Sequence, residues 1–166
     1  MYPRDDDTLA ATIGDLLVAR DAMLAVVETS AGGLIAARLL SVPGASRWFE
    51  RGSIAYSAAA KATIAPRAAE LGTAHGAVSA EFVEELVHRM REQTGATYAV
   101  AESGIAGPIG NHRSSKPAGS VVIGVASASR SSVTSHVLPG TRLEVMQHIA
   151  QQALEELHAF LVSDAS

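Results

Sequence analysis

The sequence predicts an α/β sandwich whose sheet is antiparallel at one edge. Short apolar runs alternate with segments of helical spacing, which indicates strands that alternate with helices. Two late apolar runs are separated only by a short turn, which favours an antiparallel pair. The 166 residues suit one compact domain, and we expect that domain to span residues 1–166.

The first two elements have clear sequence signals. Asp5–Asp7 can cap a helix that runs to about Arg20. One face of this helix carries four apolar side chains, those of Leu9, Ile13, Leu16 and Leu17. The run Ala22–Glu28 is short and apolar and contains two adjacent valines, so it predicts a buried strand.

The later elements follow from helical spacing, from short apolar runs and from capping residues. Ser79 is a plausible N-cap, and Gly95 is a plausible stop for the same helix. The remaining predicted elements, in chain order, are a helix over Leu34–Leu40, a strand over Gly52–Ser57, a helix over Ala80–Thr94, strands over Thr97–Glu102, Gly119–Ser127 and Ser132–Leu138, and a final helix that follows Pro139 and Gly140 and ends near Val162.

Composition excludes several classes of function. The chain has no cysteine, which removes disulfides, thiolate metal sites and cysteine nucleophiles. The net charge of −4 gives no general argument for nucleic acid or an anionic membrane as partner. The six histidines are scattered without ligand spacing, so no metal site is predicted. The N-terminus lacks a signal pattern, and we expect a soluble, cytoplasmic protein.

Two loops are the first candidates for a ligand site. Thr29–Gly33 follows the first predicted strand, and Ser103–Gly110 follows the third. Ligands of open α/β sheets bind at the carboxyl ends of the strands, where both loops should lie. Ser103–Gly110 matches neither the Walker pattern nor the dinucleotide glycine pattern, and by itself it is a weak signal.

Both loops and the segment between them carry groups with possible chemistry. The turn at Thr29–Gly33 can offer backbone N–H groups to an anion, or a hydroxyl nucleophile; it can equally be an ordinary helix cap. Lys61 can act as a general base if it is desolvated, with Tyr56 as a proton relay. The alternative is a strand tyrosine and a solvated helix lysine.

Taken in order, the motifs resemble those of the C-terminal domain of the competence-damage-inducible protein CinA, a nicotinamide mononucleotide amidohydrolase family. The resemblance covers nearly the whole chain. Its segments are Glu28–Arg38, Val42–Ser46 with Trp48–Gly52, Tyr56 and Ser57 with Lys61, His75–Ser79, Ser103–Pro108 with Lys116–Gly119, and Pro139 and Gly140 with Arg142.

The resemblance implies a three-layer α/β/α sandwich with a mixed, mostly parallel sheet. It also implies hydrolysis of the carboxamide of nicotinamide mononucleotide to nicotinate mononucleotide and ammonia, in the pyridine nucleotide cycle of NAD metabolism, without a metal or cofactor. The partner it implies is a small-molecule pyridine nucleotide, and a homo-oligomer is expected, with no nucleic acid and no membrane.

By the same resemblance, each motif has a role in the site. Thr29 supplies the attacking hydroxyl, Lys61 is the base and Tyr56 lies nearby, while backbone N–H groups near Gly32 and Gly33 hold the oxyanion. The ribose phosphate is assigned to the second loop and two cations, namely Ser103, Gly104, Gly107, Lys116 and Arg142.

Several positions depart from the family pattern. The family's Glu-Ser-Cys-Thr-Gly-Gly is altered here, so that the nucleophilic serine is Thr29 and the next hydroxyl is lost to Ala31. Ser30, at the family's cysteine position, is a substitute nucleophile. The acidic pair of a later motif is absent from Gly110–Pro117, and an arginine often found one turn after Arg142 is Met146.

Three functions therefore remain open. The first is an amidohydrolase acting on nicotinamide mononucleotide, which the retained Tyr56, Lys61 and Ser103 favour. The second is a catalytically weakened module that binds a nucleotide, which the altered first motif and Met146 favour. The third is an amidase with a different substrate, which the rewritten loop at Asn111–Ser115 favours.

Overall fold

The computed structural model describes residues 7–107 and 114–164. Within these ranges the chain forms a mixed α/β structure of five strands and six α-helices. The elements are α1 Thr8–Ala19, β1 Leu24–Glu28, α2 Leu34–Leu40, a 3₁₀ turn at Ala45–Arg47, β2 Phe49–Ile54, α3 Ala58–Ile64, α4 Ala68–Ala74, α5 Ala80–Thr94, β3 Tyr98–Gly104, β4 Ser120–Ala126, β5 Ser131–Val137 and α6 Arg142–Ser163.

The sheet has the strand order β2-β1-β3-β4-β5. β1 is parallel to both of its neighbours, β2 and β3. β4 is antiparallel to both of its neighbours, β3 and β5, and is therefore the reversed strand of the described sheet. The prediction of a mixed sheet with an antiparallel edge is confirmed. Because β1 and β3 are adjacent and parallel, the loops that follow them leave the same edge of the sheet.

Helices cover both faces of the sheet, as the three-layer prediction requires. α1, α2 and α6 pack on one face, and α3, α4 and α5 pack on the other. β3 shows the alternation that separates the two cores, since Tyr98 and Val100 face the first group of helices while Ala99 and Ala101 face the second. No helix within the described residues is long and apolar enough to cross a membrane.

Capping residues account for several of the helix ends. Asp7 accepts a hydrogen bond from the Ala10 N–H at the start of α1, and Ser79 accepts one from Phe82 at the start of α5. Gly95 ends α5 in the left-handed conformation, with φ of 69°. These three predicted caps are confirmed; the other two aspartates of the predicted N-terminal cap lie outside the described residues.

The segment between the first and third strands differs from the prediction. β2 begins and ends three residues before the predicted range, because Ser57 is the N-cap of α3 and accepts a hydrogen bond from Ala60. The sequence analysis did not predict α3 and α4, whose alanine-rich sequence has high helix propensity but little apolar periodicity. Pro66 separates the two helices, and Ala65 before it is extended, as a residue before proline prefers.

We predict that the packing of α5 on β4 depends on the absence of a side chain at Gly124. A Cβ there would lie 2.9 Å from Val83 Cγ1, so Gly124→Ala should lower the free energy of unfolding by about 1–3 kcal/mol through overpacking. Gly72 in α4 is the matched control, because a Cβ there meets no atom within 4 Å. Gly72→Ala should raise the free energy of unfolding by about 0.5–1 kcal/mol. Urea unfolding of both variants checks this, and equal effects would contradict it.

Candidate active site at the carboxyl ends of β1 and β3

Glu28, the last residue of β1, caps helix α2 with its side chain. Its Oε2 accepts hydrogen bonds from the N–H groups of Gly33 at 2.8 Å and Ile35 at 3.0 Å, and its Oε1 accepts one from Ala36 at 2.8 Å. The carboxylate is buried. A negative charge at the N-terminus of a helix is favourable, so the protein itself supplies the anion that this helix end can bind.

This contact bears on the donors expected for the oxyanion. The resemblance implies that backbone N–H groups near Gly32 and Gly33 hold the oxyanion, and in the structure the Gly33 N–H is donated to Glu28. No atom of the described residues accepts a hydrogen bond from the Gly32 N–H. The difference arises because a carboxylate that ends a buried strand reaches the first turn of the next helix.

Glu102, near the end of β3, holds the turn that follows β1. Its Oε1 accepts hydrogen bonds from the N–H groups of Thr29 at 2.5 Å and Ala31 at 2.9 Å. The side chain has no exposed surface. Its second oxygen, Oε2, is buried and has no hydrogen-bond partner among the described residues. One oxygen of Glu102 therefore fixes the turn, and the other is an unpaired polar atom in the interior.

Burial of these two carboxyls alters their ionisation. Burial raises the pKa of Glu102 to about 7, against the lowering effect of its N–H partners and with a further rise from the charge of Glu28. Burial also raises the pKa of Glu28, which its N–H partners on α2 oppose. Two neighbouring buried carboxyls disfavour double ionisation, so Glu102 takes up a proton near neutral pH.

The two hydroxyls of the turn have different surroundings. The Ser30 hydroxyl donates to the Gly104 carbonyl at 2.5 Å and accepts from the Gly104 N–H at 3.1 Å. Ser30 therefore ties the turn after β1 to the end of β3. The Thr29 hydroxyl lies 3.5 Å from the Ser30 hydroxyl, and Thr29 is 3% exposed.

Lys61 belongs to α3, which packs on the second face of the sheet together with α4 and α5. Its Nζ lies 5.7 Å from the centre of the Phe82 ring. Burial lowers the pKa of Lys61, and the charges of Glu102 and Tyr56 act on it in the opposite direction. Beside the lysine is a cavity of about 350 Å³ lined mainly by Phe82 and small residues of α3 and α4. The Lys61 amine therefore lies in a partly apolar environment formed by Phe82 and the small residues of this cavity.

The beginning of α6 covers the two loops from the other side. Arg142 donates a hydrogen bond from Nη2 to the Tyr56 hydroxyl at 3.2 Å. Its aliphatic stem packs against Gly107, because a Cβ added to Gly107 would be 3.0 Å from Arg142 Cγ. Met146, one turn further on, lies over Gly32, whose added Cβ would be 2.9 Å from the Met146 methyl. Gly32 has φ of 67°, a conformation that favours glycine.

Two further predicted binding residues, Ser103 and Lys116, pair with other parts of the chain than the turn after β1. Ser103 is buried within β3 and pairs with Val122 of β4. Lys116 donates its ammonium to the Val78 carbonyl. A second cavity, of about 540 Å³, is lined by Lys116, Gly104 and the chain around Val78. The structure therefore brings Thr29, Ser30 and Gly104 together, and Tyr56 with Arg142 and Gly107, while Lys116 contacts the segment before α5.

Part of the second loop lies outside the described residues. The predicted loop at 103–110 is described as far as Gly107, and the altered loop at 111–115 is described from Ser114. Among the described residues there is no group of three or more histidines and carboxylates placed to hold a metal ion.

Sequence reasoning missed Glu28 and Glu102 as parts of the site. In the sequence, Glu28 is the first residue of a motif and Glu102 is the end of a predicted strand. The available signal was a carboxylate in each of two runs that are otherwise apolar, LAVVE and YAVAESG. A charged residue in a fully buried run must find partners, so it points to a structured polar site at that position.

Comparisons with known proteins agree with this architecture. The family model described as CinA C-terminal domain matches residues 6–161. A CinA-like protein of Desulfotalea psychrophila is 35% identical over 164 residues, which cover 99% of this chain and 40% of that protein. The chain thus spans about two fifths of the length of the curated relatives it matches.

Solved structures match the fold closely. A competence/damage inducible protein of Agrobacterium tumefaciens has a TM-score of 0.85 and 31% identity, with 96% of this chain and 97% of that chain covered. A CinA superfamily protein of Klebsiella pneumoniae has a TM-score of 0.87 and 27% identity, with coverages of 93% and 96%. The order of helices and strands described above is therefore shared with experimentally determined structures.

We predict that Glu102 makes the protein less stable as the pH rises through neutrality. Between its unfolded pKa near 4.5 and its folded pKa near 7, the folded state holds a proton that the unfolded state releases. The contribution of Glu102 is therefore full below pH 4.5 and is lost as the pH rises through 7, by about 1 kcal/mol per pH unit.

The measurement is urea unfolding of wild type and Glu102→Gln at pH 5, 6, 7 and 8. The stability difference between the two should change over this range, whereas Glu84→Gln, which removes an exposed carboxylate of α5, should leave the wild-type slope intact. A wild-type slope that persists in Glu102→Gln would assign the pH dependence to another group.

Proposed function

The chain belongs to the CinA C-terminal domain family, and from this premise we propose that it is a hydroxyl-dependent amidohydrolase acting on the carboxamide of nicotinamide mononucleotide. The observation that carries the proposal is the combination of a buried hydroxyl at Thr29 and a partly buried Lys61 whose pKa is lowered by burial. Both belong to the groups around the carboxyl ends of β1 and β3, where α/β proteins bind ligands.

In the first step Thr29 attacks the amide carbon. The hydroxyl proton passes to the neutral amine of Lys61 as the C–O bond forms, and the carbonyl π electrons move to the oxygen. The tetrahedral intermediate then collapses and the C–N bond breaks. Lys61 returns the proton to the leaving nitrogen, which departs as ammonia and leaves an ester on Thr29.

In the second step water hydrolyses the ester. Lys61 accepts a proton from the water as it attacks, and this proton is passed to the Thr29 oxygen when the C–O bond breaks. The products are the nucleotide carboxylic acid and the free hydroxyl. The Gly32 N–H is the turn's candidate oxyanion donor, since no described residue takes it, whereas the Gly33 N–H is held by Glu28.

Thr29 suits the nucleophile's role better than Ser30. Both hydrogen-bonding capacities of the Ser30 hydroxyl are engaged by Gly104, so attack by this oxygen would break the link between the two loops. Along β1, Val27 faces the core under α3, α4 and α5, and Thr29 is two residues further on. This alternation favours an approach of the Thr29 side chain to Lys61.

A nucleotide-binding module of reduced activity is the second candidate. Met146 supports it. The family pattern often has an arginine at position 146, and here an apolar side chain at that position covers Gly32. A β-branched residue at position 29 also has fewer allowed χ1 rotamers than serine, and a displacement of the attacking atom by about 1 Å costs on the order of a hundredfold in rate.

Removing the Thr29 hydroxyl or the Lys61 amine should abolish the release of ammonia. Thr29→Val keeps the side-chain shape without the oxygen, and Lys61→Met keeps the length without the amine; each should lower kcat at least about a hundredfold. Ammonia is measured over nicotinamide mononucleotide, nicotinamide riboside and simple amides. Thr63→Val is the matched control, because it removes an exposed hydroxyl of α3 outside the proposed site, and it should keep kcat within about threefold.

Thr29→Ser should raise kcat by about tenfold, equivalent to roughly 1.4 kcal/mol of barrier, because serine has free choice of rotamer. The single change is preferable to one that also restores a hydroxyl at position 31, since Ala31 has no exposed surface and a larger residue would overpack it. Folded variants that bind the nucleotide without releasing ammonia, Thr29→Ser included, would favour the binding module.

Arg142 should contribute to binding of the substrate phosphate. Its guanidinium is exposed beside Tyr56 and Gly107, and a planar guanidinium matches a phosphate. Arg142→Ala should raise KM about tenfold or more with a smaller change in kcat, and should weaken competition by inorganic phosphate. Arg47→Ala, an exposed arginine of the 3₁₀ turn, is the control. Identical phosphate inhibition in wild type and Arg142→Ala would remove this role.

A further inference from the structure

We propose that Ser30 is a positioning residue of this site: its hydroxyl extends the pairing of β1 with β3 beyond the last backbone pair, and so holds Thr29 in place against the end of β3. This role rests on the function proposed above, in which Thr29 is the nucleophile. It gives Ser30 a part in the reaction other than that of a substitute nucleophile.

The register between the two strands shows what the Ser30 hydroxyl replaces. β1 and β3 are parallel, and residues that lie opposite each other, such as Val27 and Ala101, are 74 positions apart. Ser30 and Gly104 are also 74 positions apart, although β1 has ended and the main chain of Ser30 belongs to the turn. The Ser30 side chain therefore meets the residue of β3 that its backbone would face if the strand continued.

The orientation of Gly104 in β3 supports this assignment. At the start of β3 the Tyr98 N–H donates to the Met23 carbonyl at 3.0 Å, so the main-chain polar groups of Tyr98 point towards β1. These groups alternate between the two neighbouring strands, and Gly104, an even number of residues further on, also faces β1. Because β1 ends at Glu28, the Ser30 hydroxyl provides both partners: it accepts from the Gly104 N–H at 3.1 Å and donates to the Gly104 carbonyl at 2.5 Å.

Hydrogen bonds beyond Gly104 continue the link across the edge of the sheet. The next residue, Ile105, donates its N–H to the Ser120 carbonyl at 2.8 Å and accepts from the Gly119 N–H at 2.7 Å. The Gly119 carbonyl accepts from the Leu138 N–H at 2.9 Å, and Leu138 lies shortly before the N-cap of α6. A series of hydrogen-bonded residues thus runs from the turn after β1 to the start of α6.

This series joins the two ends of the proposed substrate site. Thr29 directly precedes Ser30, and Arg142, to which the substrate phosphate is assigned, is the first residue of α6. Ser30 contributes its side chain to the series, whereas the links from Ile105 to Leu138 are made by backbone groups. Ser30 is therefore the link that a substitution can remove. Its loss should shift the attacking hydroxyl relative to a substrate held at Arg142, and a shift of about 1 Å costs on the order of a hundredfold in rate.

Amide hydrogen exchange measures the link itself. In Ser30→Ala the Gly104 N–H loses its acceptor, so its exchange should be faster than in wild type by about tenfold or more. The Ile105 N–H, whose acceptor is the Ser120 carbonyl, is the reference in the same molecule and should change less than about threefold. Both rates are followed by NMR on folded protein. Equal Gly104 rates in the variant and wild type would overturn the proposal.

Steady-state kinetics then separates positioning from nucleophilic attack. Ser30→Ala should lower kcat by about tenfold to a hundredfold and leave KM for nicotinamide mononucleotide within about threefold, because the Arg142 guanidinium is unchanged. A nucleophile would behave differently, since its removal leaves no attacking oxygen. Complete loss of turnover in Ser30→Ala, or an unchanged kcat, would therefore overturn the positioning role.

Ser127→Ala is the matched control for the loss of a buried serine hydroxyl. Ser127 is buried as Ser30 is, and its hydroxyl accepts from the Arg130 N–H at 3.3 Å. It follows β4 and so lies at the opposite edge of the sheet. Ser127→Ala should keep kcat and the Gly104 exchange rate within about threefold of wild type, even if it unfolds at a lower urea concentration. A fall in kcat as large as that of Ser30→Ala would assign the effect to general loss of stability.

Ser30→Cys provides a graded test and replaces Ser30→Ala if that variant does not fold. The thiol keeps the shape of the side chain, but it is a weaker donor and a weaker acceptor than the hydroxyl. Both kcat and the Gly104 exchange rate should therefore lie between those of wild type and Ser30→Ala. A Gly104 exchange rate equal to that of wild type would contradict the link.

The exchange measurement requires no turnover, so the two proposals can fail separately. If no carboxamide is hydrolysed and Gly104 still exchanges faster in Ser30→Ala, the amidohydrolase function fails and the pairing of Ser30 with Gly104 stands. If carboxamide is hydrolysed and the Gly104 rate does not change, the role of Ser30 fails and the amidohydrolase function stands.

Discussion

The structure of the site depends on two buried carboxylates that occupy the backbone N–H groups of one turn. Glu28 takes the N–H groups of Gly33, Ile35 and Ala36, and Glu102 takes those of Thr29 and Ala31. A turn between a buried strand and a helix has no sheet or helix partners for these donors, and leaving them unpaired would be costly. The two side chains replace those partners, and they thereby fix where α2 starts and how Thr29 is held.

This solution places like charges side by side. In the parallel register of β1 and β3, Val27 lies opposite Ala101, so the next residues along, Glu28 and Glu102, are neighbours at the sheet edge. Ionisation of both carboxyls at once is unfavourable in the interior. The cost of burying the negative charge is offset better for Glu28, which accepts three N–H groups and lies at the positive end of α2. Glu102 lacks a partner for Oε2 and is the one that takes up a proton near neutral pH. The asymmetry follows from the surroundings of the two carboxyls, because the residue type is the same in both.

The sequence contained most of the fold and about half of the site. Helical spacing identified α1, short apolar runs identified the buried strands, and Asp7 and Ser79 were recognisable caps of α1 and α5. α3 and α4 were not predicted because alanine-rich helices lack apolar periodicity, and β2 was placed three residues too late because Ser57 is the N-cap of the next helix.

The two loops were predicted at the correct edge by topology alone. The partners of the turn's N–H groups were not predicted, since no local pattern reveals that Glu28 reaches Gly33 or that Glu102 reaches back to the turn after β1. Such contacts depend on the register between strands.

Two departures from the family pattern lie at the same core of the structure. Ala31 and Met146 are 115 positions apart in the sequence, yet Ala31 lies in the apolar core on the α1, α2 and α6 face, and Met146 packs against that same core. A polar pair at these positions would place a hydroxyl and a guanidinium beside Gly32; here the pair is apolar, and Met146 covers Gly32 instead. Both departures therefore replace a polar group by an apolar one beside the same core. The other side of the turn keeps a hydroxyl at Thr29, the amine of Lys61 and the phenol of Tyr56. The retained reactive groups support the proposed amidohydrolase, whereas the apolar wall supports the nucleotide-binding module, so the two candidate functions are supported by opposite sides of the same turn.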